Sequence, residues 1–263
     1  MQRTIKIWIA ALLLISCGVA YAQTPAQVVD LQTRPGVTQR MIVLTPGEPK
    51  ATVILFAGGD GGLAIQADGT LQRGKGNFLV RTRQLFADQG FVVAVVDAPS
   101  DHQGGMFLEG FRQTSEHVTD IKAVIAWARE HAKVPVWLVG TSRGTQSAAY
   151  VATELTGPDG PDGLVLTSTI LRDKKGRPVT AMPLERLHIP VIVGHHKDDA
   201  CPLCAYGFVP SLMDKLTNVP RKQLLTFSGG ESRDGPCEAF SFHGYNGIET
   251  DVVSQLSAAI LQK

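Results

Sequence analysis

The chain has 263 residues, of which 44% are hydrophobic and 19% charged, with a formal net charge of +1. It is too apolar and too lightly charged for a disordered chain. With no basic stripe or acidic tail, there is no electrostatic case for nucleic acid as a partner. The length suits one large domain or two small ones, burying roughly 70–75% of the surface of the unfolded chain.

Arg3 and Lys6 precede an apolar run over residues 7–15 that is too short to span a bilayer as a mature helix, and Ala20-Tyr21-Ala22 forms a small-x-small cleavage site. These are the parts of a secretory signal peptide over residues 1–22, which predicts an exported protein, periplasmic or secreted. Its removal would take the formal charge from +1 to −1. Leu14-Ile15-Ser16-Cys17 is a competing lipobox that would leave a lipid anchor on Cys17; either reading exports the chain. Disulfides persist in an oxidising compartment. Without Cys17, the cysteines are Cys201, Cys204 and Cys237, which predicts one bridge and one lone thiol.

Residues 23–39 are mostly polar and read as a mobile leader, so the folded domain is expected over residues 40–263. Residues 41–44 predict a short strand, and residues 51–57 a continuous apolar strand buried on both faces of a parallel sheet. A glycine-rich loop follows, Gly58-Gly59-Asp60-Gly61-Gly62. Residues 77–89 predict a helix closed by Gly90, and residues 91–96 another buried strand. Asp97 to His102 follow that strand and are expected beside a substrate pocket. Ser115 can cap a long helix in which Val118, Ile121, Val124, Ile125 and Ala128 share a face. Residues 135–139 predict a strand, then a sharp turn over 140–144 and a helix over 146–155. Short strands are expected over 164–166, 191–193 and 224–227. The four-residue spacing of Ile248, Val252, Leu256 and Ile260 marks a closing helix. Strands alternating with helices imply an α/β fold, a doubly wound and mostly parallel sheet with helices on both faces.

The sharpest motif is Gly140-Thr141-Ser142-Arg143-Gly144, between a buried strand and a small-residue helix. A G-x-S-x-G at that junction makes a tight turn that lifts the serine hydroxyl above the sheet, with a helix N-terminus behind it. A serine hydroxyl needs a base to take its proton, and the base needs a carboxylate to orient it. The C-terminal half offers His195-His196-Lys197-Asp198-Asp199 after a strand and His243 before the last helix. The serine, acid and histidine order is then met. His195 and His196, adjacent on a strand end, point to opposite faces and make a poor metal pair. One is expected packed and the other solvated. No metal or cofactor is called for.

This chain resembles the α/β-hydrolases, in particular the compact dienelactone-hydrolase-like members, over residues 40–263. The resemblance implies a serine hydrolase, carboxylesterase-like, with Ser142 as nucleophile and His243 as base. The acid in such families is often followed four residues on by proline. Asp198 matches that spacing to Pro202 and is the expected triad acid, with Asp199 and then Asp173 as competitors. The oxyanion hole would take the backbone N–H of Arg143 and one from Gly59 or Asp60. Cys201 and Cys237 lie near the acid and the histidine, so a bridge between them would hold two triad members in register. Cys204–Cys237 is the alternative, and Cys201-Pro202-Leu203-Cys204 has redox-motif spacing. No insertion long enough for a large cap is present, and residues 171–190 allow only a small flap. The expected partner is a small-molecule ester. A peptidase or amidase on the same triad, or a binding module of the same fold, are the other readings.

Overall fold

The computed structural model describes residues 24–174 and 176–262. The expected signal peptide over residues 1–22 and the alternative lipobox at Cys17 lie outside the described residues. The apolar runs form eight strands: β1 (Ala26–Arg34), β2 (Val37–Leu44), β3 (Ala51–Phe56), β4 (Phe91–Val96), β5 (Val136–Thr141), β6 (Gly163–Thr167), β7 (Val191–His196) and β8 (Lys222–Phe227). They build one sheet in the order β1-β2-β4-β3-β5-β6-β7-β8. β2 pairs antiparallel with β1 and β4, and the remaining neighbours are parallel.

Among the described residues six α-helices cover the sheet: α1 (Phe78–Arg81), α2 (Arg83–Asp88), α3 (Ser115–Ala132), α4 (Gly144–Glu154), α5 (Val209–Lys215) and α6 (Glu249–Leu261). Side chains alternate across a strand, so β3 feeds two cores. Ile54 and Phe56 pack with Ile121 and Val124 of α3 and Ala148 of α4. Val53 and Leu55 pack with Phe78, Phe86 and Leu256 on the opposite face. A parallel sheet buried on both faces gathers the loops after its strands at one edge, where a site can form.

Three expectations need correction. Residues 26–34 are not a mobile leader but strand β1, paired with β2 from Ala26↔Leu44 to Arg34↔Val37. Its weak alternation hides it, because an edge strand is half-exposed; Arg34 anchors it instead, donating to Asp120 of α3 through Nε (2.8 Å) and Nη2 (2.9 Å). The helix expected over 77–89 is two helices, broken at Thr82, whose hydroxyl donates back to the Phe78 carbonyl at 2.7 Å. The helix α5 was not anticipated, being seven residues long.

The Asp120 side chain is fully buried and Arg34 is its ion-pair partner. Removing one partner of a buried pair typically costs about 3–5 kcal/mol. Arg34→Met is therefore expected to lower the unfolding free energy by that amount, read in urea as a lower midpoint at unchanged slope. An unchanged midpoint would mean that β1 is not held by this pair.

Candidate active site

Ser142 follows the last residue of β5 and has φ +51°, a left-handed conformation that few non-glycine residues adopt. Its N–H donates to the Thr167 carbonyl on β6 at 3.0 Å. The turn needs glycine on both sides. A Cβ on Gly144 would lie 2.0 Å from the Phe56 carbonyl oxygen, and one on Gly140 would lie 2.5 Å from that of Gly144. This is the strand-to-helix elbow expected from the sequence, with α4 starting at its exit.

His243 lies in a short turn before α6 and is buried. The Ser241 hydroxyl accepts from its N–H (3.2 Å), and the Ser168 hydroxyl donates to its carbonyl (2.6 Å). Its Nδ1 donates to Asp199 Oδ2 at 2.9 Å. Its Nε2 is buried and has no hydrogen-bond partner among the described residues. Ser142 and His243 line one cavity of about 530 Å³, together with Arg143, Gly59 and Asp60. Ser142 and His243 thus share a cavity, and among the described residues no hydrogen bond joins their side chains.

The carboxylate on His243 belongs to Asp199, not Asp198. Asp198 turns outward with its side chain half-exposed, while its N–H donates to His196 Nδ1 at 3.1 Å. Asp199 is buried, and its second oxygen accepts from the Cys201 N–H at 2.9 Å. Nor is Asp173 the acid: it pairs with the Arg143 guanidinium at 2.9 Å. The Arg143 backbone stands at the start of α4.

His195 and His196 are both fully buried, so neither is solvated as expected. Burial pushes the His195 imidazole down to about 4, so it is neutral. Its Nε2 donates to the Cys204 carbonyl and lies 3.6 Å from Asp199 Oδ2. His196 donates to the Gly229 carbonyl at 2.9 Å and stacks on Phe242, the neighbour of His243, with ring centroids 4.7 Å apart. The two histidines thus tie down the segments that carry Asp199 and His243. Tyr245 adds a third tie. Its hydroxyl donates to the Gly194 carbonyl at 2.8 Å and accepts from the Ser168 N–H at 3.1 Å, and burial raises its pKa.

Cys201 and Cys237 form the disulfide, and Cys204 is a free, buried thiol. The redox pairing of Cys201 with Cys204 is thereby replaced. Burial also pushes the Cys204 thiol well above its ordinary range, which suppresses the thiolate. Donor atoms of Cys201, Cys204 and His243 lie within 4.8 Å of one another. They do not suit a metal, since Cys201 is oxidised in the bridge and one His243 nitrogen is held by Asp199.

Asp97 is not a pocket residue. It is buried beneath the loop after β3, accepting from the N–H groups of Leu63 (2.7 Å) and Ile65 (2.8 Å). His117 faces Phe56 and Phe111 inside the protein, where burial lowers its pKa to about 3. Sequence reasoning missed Arg112, which is buried and donates to the carbonyls of Ala57 and Gly59 at 3.1 Å each. No spacing signal marks it, because it contacts the loop across 53 to 55 residues of chain.

No protein-family model and no curated protein matches the sequence. Solved structures do match the fold. The dienelactone hydrolase of Anabaena variabilis ATCC 29413 aligns with 91% of this chain and 96% of its own at 12% identity, TM-score 0.58. The Pyrococcus furiosus esterase PF2001 aligns with 89% of this chain and 90% of its own at 12% identity, TM-score 0.63. XC6422 of Xanthomonas campestris, an α/β serine hydrolase without a lid, aligns with 89% and 95% at 16% identity, TM-score 0.56. The chain has the α/β-hydrolase fold, with no large cap among its described residues.

The bridge closes a segment of 36 residues between the acid and histidine loops. Chain entropy puts the stabilisation from such a loop at about 4 kcal/mol. Cys201→Ser, Cys237→Ser and the double variant are expected to lose similar stability in urea titrations. Clearly additive losses in the double variant would show that the cysteines act separately and not through the bond.

Proposed function

We propose that the protein is a serine hydrolase, and specifically a carboxylic ester hydrolase working through an acyl-enzyme on Ser142. The observation that carries this reading is the buried Asp199–His243 contact, which leaves Nε2 without a partner on a residue that lines the same cavity as Ser142. The matches to a dienelactone hydrolase and to esterases of the same fold support it.

In this reading Asp199 holds the imidazole with its proton on Nδ1, so that Nε2 is the basic nitrogen. His243 takes the Ser142 proton as the oxygen attacks an ester carbonyl. The negative charge that develops on the carbonyl oxygen is met by the Arg143 N–H at the start of α4 and by one from Gly59 or Asp60. His243 Nε2–H then protonates the departing alcohol. In the second half His243 takes a proton from water, the hydroxide attacks the acyl-enzyme, and Ser142 leaves with that proton restored. Asp199 stabilises the imidazolium in both halves and stays ionised.

The cavity has an apolar wall at Ile170 and Leu203 and charged groups, Arg73, Lys75 and Glu238, among its lining residues. With no large cap over it, small accessible esters suit it better than long-chain lipids. Export belongs to the same proposal: the disulfide persists in an oxidising compartment, and no described helix is long and apolar enough to cross a membrane.

The two aspartates provide the test. On a small activated ester, Asp199→Asn is expected to lower kcat by about 10⁴, the cost of the wrong imidazole tautomer. Asp198→Asn is expected to retain nearly the wild-type rate, and Ser142→Ala to lose turnover by about 10⁶. Turnover that survives Ser142→Ala would defeat the proposal. A large loss in Asp198→Asn alone would move the acid back to that residue.

A further inference from the structure

Arg112 lies in the segment between β4 and α3 and is only 5% exposed. Among the described residues no carboxylate forms an ion pair with it. Burial and the nearby Arg143 charge lower its pKa to about 9, so it still carries its charge at neutral pH. Burying a charge without a counter-ion is costly, and a fold retains one where its hydrogen bonds repay the cost. Here Nη1 donates to the Ser147 hydroxyl at 2.9 Å, and Nη2 donates to the carbonyls of Ala57 and Gly59. A Cβ on Gly61 would lie 2.5 Å from Nη2, so the guanidinium packs directly against the glycine loop.

We propose that Arg112 is the positioning residue of the oxyanion hole, an inference that rests on the serine-hydrolase reading above. The carbonyls of Ala57 and Gly59 stand on either side of the Gly58–Gly59 peptide, which carries the Gly59 N–H. The Asp60 N–H shares a plane with the Gly59 carbonyl itself. Fixing the Gly59 carbonyl therefore fixes the direction of the Asp60 N–H, and holding the carbonyls on both sides restrains the Gly58–Gly59 peptide between them. Ser147 stands on α4, one turn beyond the elbow, whose start carries the Arg143 N–H. One side chain thus ties the two walls of the oxyanion hole together. Its charge also polarises the Gly59–Asp60 peptide and strengthens that N–H as a donor. Arg112 touches no reacting atom; it acts through the loop. An arginine does this where a lysine cannot, because only the planar fork reaches three acceptors with fixed geometry.

The test compares wild type, Arg112→Lys and Arg112→Met. Active sites are counted by fluorophosphonate titration, so that unfolded material does not enter the rate. Turnover of a small ester and inhibition by a trifluoromethyl ketone, which adds to Ser142 and leaves an oxyanion in the hole, are then measured. Arg112→Met is expected to lower kcat per titrated site by about 100-fold, the loss typical for one oxyanion donor, with KM little changed. Inhibition by the ketone should weaken in parallel. Arg112→Lys should fall between the two.

A structural role alone would lower the melting temperature and leave kcat per titrated site intact, and that result overturns the proposal. If Arg112→Met yields no folded protein, Arg112→Lys decides by the same criterion: a clear fall in kcat with weaker ketone inhibition supports it, and wild-type values overturn it. A wild-type protein that neither labels nor turns over would instead overturn the parent reading, and this inference with it.

Discussion

The turn at Ser142 is the constraint from which the rest of the site follows. A non-glycine residue held at φ +51° carries strain on the order of 1–3 kcal/mol. The strain is tolerated because the turn is held from every side. The Ser142 N–H is spent on Thr167, and its carbonyl accepts from both the N–H and the hydroxyl of Thr145. Gly144 meets the Phe56 carbonyl so closely that no side chain fits. Relaxing any of these contacts would let the serine drop back toward the sheet. Strand β3 is pressed against the elbow by the same close approach, which is why the glycine loop after β3 ends up beside Ser142.

The acid and the histidine are placed by different means. Asp199 lies on the loop after β7 and His243 in a single 3₁₀ turn before α6, both outside the sheet. Loops move unless they are tied. Here the ties are the Cys201–Cys237 bond, the Tyr245 hydroxyl between Gly194 and Ser168, and the stacking of His196 on Phe242. Asp199 itself is fixed through the Cys201 N–H, so a cysteine of the disulfide also holds the carboxylate bonded to His243. Stability and chemistry are joined at that point: whatever loosens the bridge also loosens the orientation of the imidazole.

Much of the fold was legible because a parallel sheet writes itself as apolar runs. Strands β3, β4 and β5 are continuous buried segments, and the helix α3 has a clear apolar face. β1 escaped because an edge strand buries half of each side chain and leans on an ion pair, Arg34 with Asp120, across 86 residues. The elbow could be read because its spacing is local. The identity of the acid could not. Asp198 and Asp199 are neighbours, and which of them turns inward depends on the turn after β7, where the Asp199 N–H donates to the His196 carbonyl at 3.1 Å. The burial of His195 and His196 has a related cause, a strand end covered by the Cys204–Tyr206 segment on one side and by Gly229 and Phe242 on the other. Arg112 was hidden for a related reason: an arginine is ordinarily a surface residue, and only the folded loop shows what it holds.

The central claim is that His243, oriented by Asp199, activates Ser142. The most direct measurement is intact-mass analysis of the protein after exposure to a fluorophosphonate, with peptide mapping of the adduct. The account predicts one adduct per chain, on Ser142, formed at a rate that collapses in His243→Ala. A well-folded protein that takes up no label, or takes it up equally fast without His243, would contradict it.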